Sequence, residues 1–215
     1  MEDRAAAPEA RKPEAGRDIS RRDLLKAAAI APLVFVPFSH ADAALATAHA
    51  MEALQGQAAG VAYAPKFFHA DEWKQLRILV DLIIPKDERS GSATDAGVPE
   101  FMDFICMAYP DRQTPMRDGL AWLDGFAYDS YHKNFANCSD AEHRAMLDQI
   151  AWPAKAKPEM REGVQHFNRI RDFTASGFFS SQMGVKDIGY MGNTALPAWH
   201  GCPKPALDHI GVKYS

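Results

Sequence analysis

One stretch decides the fold of this chain: Asp71-Glu72-Trp73-Lys74-Gln75-Leu76-Arg77-Ile78-Leu79-Val80-Asp81-Leu82-Ile83-Ile84-Pro85. Its apolar side chains recur every three or four positions, at Trp73, Leu76, Val80 and Ile83, and this spacing predicts an amphipathic helix. The two acidic residues at its start favour the helix through the macrodipole, and Pro85 ends it because proline disfavours helical geometry in the residue before. The stretch therefore predicts a helix with one buried face.

Four segments downstream have the same helical character. They cover about 98–109, 114–133, 140–152 and 158–176. Thr114 and Pro115 form an N-cap followed by a first-turn proline, and Ser139 and Glu142 form a capping box. The sequence therefore predicts an all-α fold of about five helices in one compact domain over 67–215.

The two ends of this domain have a different composition. Residues 44–66 are rich in Ala, Gln and Gly, which indicates a flexible lead-in. From 178 to 215 glycines and prolines recur, helical periodicity is lost, and aromatic residues persist. A long irregular segment in a compact domain is usually functional. We expect it to wrap its own core or a partner.

The N-terminal region has the sequence pattern of an export signal. Ser20-Arg21-Arg22-Asp23-Leu24-Leu25-Lys26 precedes a short apolar run over 27–39. Paired arginines before such a run are typical of twin-arginine signals, so Arg21 and Arg22 are the expected recognition residues. The run is too short to span a bilayer, and small residues favour cleavage after Ala43 or Ala46. An uncleaved anchor is the alternative to a cleaved signal over 1–43.

The net charge and the number of cysteines limit the kinds of partner that the chain is expected to bind. The 215-residue chain has a formal net charge of −4, and the signal region contains equal numbers of basic and acidic residues. No basic cluster remains after it, so nucleic acid is not an expected partner. Cys106, Cys138 and Cys202 are an odd number in an oxidising compartment, which suggests pairing with another chain or a free thiol. Three unpaired cysteines are the other possibility.

Motifs for resident chemistry are missing from the sequence. It contains no Gly-x-Gly-x-x-Gly after a strand, no Cys-x-x-Cys-His and no Gly-x-Ser-x-Gly. His200 and Cys202 are too few to form a metal site, and the acidic loop over 86–97 does not match a calcium-binding loop. Asp81 is either a buried acid or a carboxylate that binds solvent or backbone. Three histidines lie in predicted helices, and we expect them to be exposed: His132, His143 and His166.

Four motifs together resemble the gluconate 2-dehydrogenase subunit 3 family. They are Asp81-Leu82-Ile83-Ile84-Pro85, Gly97-Val98-Pro99-Glu100-Phe101-Met102-Asp103, Gly189-Tyr190-Met191-Gly192-Asn193 and Trp199-His200-Gly201-Cys202-Pro203. The resemblance runs from about Phe67 to Pro203. The chain departs from the family pattern at His69, where a Ser or Thr cap is usual.

The resemblance implies a small, non-catalytic subunit with no cofactor of its own. Family members typically carry a twin-arginine signal, and their partner is a large FAD dehydrogenase of the glucose–methanol–choline type. A c-type cytochrome with covalent haem is often a third subunit. The small subunit is thought to carry the flavin subunit through the twin-arginine translocase, so the expected location is the periplasm, with membrane association through the complex.

The candidate partner interface lies in the C-terminal segment. Its expected residues are Tyr190, Gly192, Asn193, Trp199 and Cys202, and Cys202 is a candidate for an inter-subunit disulfide. A bridge from Cys202 to another cysteine of the chain, or a buried thiol, would serve structure alone. Two other functions compete with the subunit role: a stand-alone periplasmic module that binds a small ligand, and an enzyme with an unrecognised site.

Overall fold

The computed structural model describes residues 39–190, 192 and 201–213, and the twin-arginine motif lies outside these residues. Within them the chain forms α-helices and short 3-10 turns, with no strand. The helices are α1 (His40–Ala58), α2 (Ala70–Ile83), α3 (Val98–Ala108), α4 (Gln113–Tyr131), α5 (Asp140–Leu147), α6 (Arg161–Ser180), α7 (Gln182–Asp187) and α8 (Lys204–Ile210). The all-α prediction is confirmed, with eight helices in the described part of the chain instead of about five.

Helix α6 is the centre of the domain. It packs against α1, α2, α3, α4 and α7, and large side chains along it are almost fully buried. Phe173 and Phe178 of α6 belong to the same core as Phe101 of α3 and Leu76 of α2. Burial of aromatic and branched side chains stabilises such a core by roughly 1.5–3 kcal/mol for each residue.

The predicted bounds of α2 are confirmed closely, whereas α5 ends at Leu147 and not near Trp152, and α4 begins at Gln113, so Thr114 is not its N-cap. Helix α2 begins one residue before Asp71 and ends at Ile83, two residues before Pro85. The capping box of α5 is present, with the Ser139 N–H donating to a Glu142 carboxylate oxygen at 2.7 Å. This hydrogen bond, together with the Lys133 ammonium, lowers the pKa of Glu142 to about 2.

The flexible lead-in that the sequence predicted over 44–66 is helical as far as Ala58. Helix α1 packs against α3 and α6, and its Ala46 and Ala50 are buried. Alanine has the highest helix propensity, and its small side chain lets two helices approach closely. Because alanine adds little contrast between helix faces, the apolar periodicity of α1 is weak and the helix was missed.

The C-terminal segment contains more helix than the sequence predicted. Helix α6 continues past Gly177 to Ser180, and α7 and α8 follow. A Cβ at Gly177 would lie 3.0 Å from the ring of Phe101, so this glycine serves a close helix contact and does not end the helix. The irregular part is therefore shorter than expected, and residues 191 and 193–200 lie outside the described region.

Candidate functional site

Asp103 on α3 accepts four hydrogen bonds from the segment that precedes α2. One carboxylate oxygen accepts the Tyr63 hydroxyl at 2.9 Å and the Lys66 N–H at 2.8 Å. The other accepts the N–H groups of Phe67 at 2.9 Å and Phe68 at 3.2 Å. The side chain is 1% exposed, so these four donors replace the water that a carboxylate needs. Asp103 therefore anchors the segment that leads into α2.

Arg117 on α4 binds the same segment from the other side. Its guanidinium donates to the Phe67 carbonyl at 2.7 Å and to a Glu72 carboxylate oxygen at 3.1 Å, and it lies 4.5 Å from the centre of the Phe67 ring. The second oxygen of Glu72 accepts the His69 N–H at 2.8 Å. This bond supplies the glutamate half of a capping box, so α2 has a defined start although the usual Ser or Thr is replaced by His69.

Asp81 ties the end of α2 to the following loop. Its carboxylate accepts the Thr94 N–H at 2.7 Å, and the buried Ile84 carbonyl accepts the Ala93 N–H at 2.9 Å. The side chain is only partly buried, so the prediction of a backbone-binding carboxylate is confirmed. The polar loop over 86–97 is thereby fixed to the helix that precedes it.

Burial also suppresses ionisation beside Asp103. It raises the pKa of the Cys106 thiol to about 12, with the Asp103 charge as a second cause. Burial, followed by the hydrogen bond to Asp103, raises the pKa of the Tyr63 phenol well above its usual range. Both groups are therefore neutral at physiological pH, and a thiol held neutral is a poor nucleophile.

A shallow cavity of about 300 Å³ opens next to this cluster. His49 of α1 lies at its wall, with its Nε2 3.3 Å from the Tyr63 hydroxyl and its ring 5.1 Å from that of Phe104. The other lining residues are Lys66, Asp103, Met107 and Ala108. The cavity therefore combines an apolar wall with one lysine, one histidine and one aspartate.

The turn after α7 contains the first two residues of the third motif, Gly189 and Tyr190, and its backbone is hydrogen-bonded to the helix. Gly189 has a φ of 67° and follows α7, with its N–H bonded to the Lys186 carbonyl at 3.0 Å and the Tyr190 N–H bonded to the Val185 carbonyl at 3.1 Å. This is a Schellman motif, which needs the left-handed conformation that glycine supplies. The Arg89 guanidinium donates to the Asp187 carbonyl and so joins the loop over 86–97 to the end of α7.

Three of the five predicted interface residues lie in the described region, and all three are exposed. Tyr190 is 52% exposed, and Gly192 and Cys202 are also at the surface. Asn193 and Trp199 lie outside the described residues. Ile188, which the sequence reasoning did not single out, is 53% exposed beside Tyr190.

The structure tests the predictions about cysteine pairing and about the exposure of the helical histidines. Cys106 is buried and Cys138 partly buried, and neither is bonded to another cysteine. His132 is exposed, but the surface prediction was wrong for His143, and the His166 side chain is only 12% exposed. The His143 ring is 3% exposed, lies 4.4 Å from the Phe135 ring and contacts the Phe135 carbonyl at 2.8 Å.

Part of this site was missed by the sequence reasoning. Tyr63 and Arg117 hold the start of α2 from positions that carry no motif, and Glu100 is 1% exposed with Gln57 bonded to one carboxylate oxygen at 2.8 Å. Acidic residues at 100 and 103 inside an apolar helix were the available signal. Among the residues the structure describes, no three His, Cys, Asp or Glu side chains are grouped closely enough to hold a metal ion.

The fold and its motifs define a class of protein. It is a small helical protein in which acidic motif residues accept hydrogen bonds from the backbone of neighbouring loops. Residues 70–197 match the model of the gluconate 2-dehydrogenase subunit 3 family, more than half of the chain. The chain belongs to this family. Comparisons with curated proteins and with solved structures found no match. In the part of the chain that the structure describes, no helix has both the length and the hydropathy needed to cross a bilayer.

Proposed function

We propose that this chain is the non-catalytic small subunit of a periplasmic FAD-dependent sugar or sugar-acid dehydrogenase. In this role it escorts the flavin subunit through twin-arginine export and stabilises it. The observation that carries the proposal is the family match over 70–197, a family of subunits of gluconate 2-dehydrogenase. The Arg21-Arg22 pair supports the export route, because this route transports chains that are already folded.

The geometry supports a binding role for the C-terminal turn. Ile188 and Tyr190 are exposed apolar side chains on a backbone that the Schellman motif and Arg89 hold in place. A surface that is already ordered loses less conformational entropy when a partner binds it. The partner in turn stabilises this subunit by mass action, because it binds only the folded form. The substrate and any haem would belong to other subunits.

Co-purification from the native host tests the subunit role. A tagged chain is expected to bring down a flavoprotein whose FAD absorbance follows the tagged band through gel filtration. Tyr190→Ala should weaken this association, and Tyr128→Ala is a matched control because Tyr128 is exposed to a similar extent at the end of α4. A chain that brings down no flavoprotein would overturn the proposal.

Cell fractionation tests the escort role. Replacing Arg21 and Arg22 with lysine is expected to keep both this chain and the dehydrogenase activity in the cytoplasm. Lysine at Arg11 and Arg17, two other leader arginines, is the matched control and should leave export unchanged. If the dehydrogenase reached the periplasm without this chain, only a structural role would remain.

The cavity beside Asp103 supports a second candidate function, a periplasmic module that binds a small ligand. The residues that line it include His49, Lys66 and Met107. This function predicts a stable monomer that gives a saturable heat of binding in calorimetry with extracts of small metabolites. The subunit role instead predicts that the chain purified alone gives no such heat and binds the flavoprotein.

A further inference from the structure

The predicted cleavage positions of the export signal lie inside a folded helix. Helix α1 begins at His40, so the bond after Ala43 is in its first turn and the bond after Ala46 is in its second. Ala46 is completely buried, and Ala50 one turn later is 3% exposed. The helix therefore starts upstream of both positions and is packed against the core immediately downstream of them.

The first turn of α1 is held by its own cap and by α3. The Asp42 N–H donates to the Ser39 hydroxyl oxygen at 3.1 Å, and the Ser39 N–H donates to Asp42 Oδ2 at 3.2 Å. The Ser39 hydroxyl and, after it, the Tyr109 hydroxyl lower the pKa of Asp42, and the same contact raises the pKa of Tyr109. Helix α1 also packs against α3, which ends just before Tyr109, so the capped helix is joined to the core.

The backbone at the first position is already hydrogen-bonded. The Ala43 N–H donates to the Ser39 carbonyl at 3.1 Å, and the Ala43 carbonyl accepts the Thr47 hydroxyl at 2.7 Å. A peptidase that binds its substrate as an extended strand needs these groups for its own hydrogen bonds. Proteolysis of a folded segment accordingly proceeds through a transiently opened state.

We infer that the folded domain gates the removal of its own leader, because the first two turns of α1 must open before a signal peptidase can cut after Ala43 or Ala46. The inference rests on the export signal of the proposed function. A chain that crosses the membrane folded meets the peptidase with α1 already formed. The stability of α1, and not only the residues around the cut, then sets the rate of processing.

The test uses the purified full-length chain in detergent micelles with a bacterial signal peptidase. Intact-mass spectrometry follows the loss of residues 1–43 or 1–46. A synthetic peptide of residues 20–50 carries the same cleavage residues without the domain. We expect the peptide to be cut at least about tenfold faster than the folded chain, since the opened state of a capped and packed helix is a minor population. Equal rates would overturn the inference.

Two variants relate processing to the helix. Ser39→Ala removes the cap and should speed cleavage of the full chain by roughly fivefold, the effect of losing a typical N-cap, without speeding cleavage of the peptide. Ser139→Ala is the matched control, because Ser139 caps α5 in the same way. Tyr109→Phe should also speed cleavage, and it leaves the leader sequence untouched. If neither Ser39→Ala nor Tyr109→Phe differed from Ser139→Ala, the gate would be disproved.

Failure of the gate and failure of the proposed function give different results. The micelle assay needs no export, so slow cleavage there combined with a chain that stays in the cytoplasm contradicts only the export role. A chain that is exported and whose folded form is cut at the peptide's rate contradicts only the gate. A peptide that is not cut at either position would overturn the cleavage positions and the gate with them.

Discussion

Asp103 Oδ2 accepts the hydroxyl hydrogen of Tyr63 at 2.9 Å, across 40 positions of the sequence. The same carboxylate accepts three backbone N–H groups from residues 66–68, so one buried charge organises the whole approach to α2. The presence of aspartate at this position of the Gly-Val-x-x-Phe-x-Asp motif is therefore explained by its hydrogen bonds to the backbone before α2.

Asp103→Asn should destabilise the domain by about 2–3 kcal/mol. The amide keeps the shape of the carboxylate but replaces one acceptor oxygen with a donor, which leaves buried N–H groups without a partner. Urea unfolding followed by circular dichroism measures the change. Asp129→Asn is the control, because Asp129 is exposed on α4 and should change stability by less than about 0.5 kcal/mol. Equal midpoints for the two variants would contradict the anchoring role.

Tyr63→Phe should alter how stability depends on alkaline pH. The folded domain raises the pKa of Tyr63 above its ordinary value of 10.0, so the unfolded chain loses this proton first. The stability that depends on the neutral phenol is complete below pH 10 and decreases as the pH rises toward the folded pKa. Thermal melts between pH 8 and 11 should show a steeper loss for the wild type than for Tyr63→Phe. The exposed Tyr128→Phe should behave as the wild type does.

The same substitution at two helical glycines should have opposite effects. A Cβ at Gly163 of α6 would lie 2.1 Å from the Trp122 ring, whereas a Cβ at Gly125 of α4 would meet nothing within 4 Å. Gly163→Ala should therefore cost about 1–3 kcal/mol through overpacking. Gly125→Ala should stabilise by about 0.5–1 kcal/mol through helix propensity. Chemical denaturation of both variants decides the matter, and a stabilising Gly163→Ala would refute the close contact with Trp122.

Cys202 should join this chain to its partner in the oxidised complex. It is exposed in the C-terminal segment, whereas Cys106 is buried with a thiol pKa of about 12 and should resist iodoacetamide until the domain unfolds. Non-reducing gel electrophoresis of the purified complex should show a high-mass band that Cys202→Ser removes and Cys138→Ser keeps. A band that persists in Cys202→Ser would exclude an inter-subunit disulfide at this residue.

The helical framework was predictable because its signals are local. Apolar periodicity located α2, and the Ser139–Glu142 box located the start of α5 to the residue. Asp81 was predicted as a carboxylate that could bind backbone, whereas Asp103 stood in a recognisable motif but its anchoring role was not predicted. Tyr63 and Arg117 were not found, because Tyr63 reaches Asp103 across 40 positions and Arg117 reaches the Phe67 carbonyl across 50, and such bonds leave no pattern near either residue.

Two other misses have identifiable physical causes. Helix α1 is built largely from alanine, so its buried face at Ala46 and Ala50 hardly differs in hydropathy from the exposed one. His143 is surrounded by polar residues in the sequence, and only the 3-10 turn that brings Phe135 against it makes it a core residue. In both cases tertiary packing buries residues whose local sequence does not indicate burial.

The long reach of the contacts to the start of α2 has a consequence for synthesis at the ribosome. Residues 63–72 acquire their hydrogen-bonding partners only after Asp103 and then Arg117 have been made, so the nascent chain cannot complete this region early. At about 5–20 residues per second the delay is a few seconds, during which the apolar face of α2 needs protection.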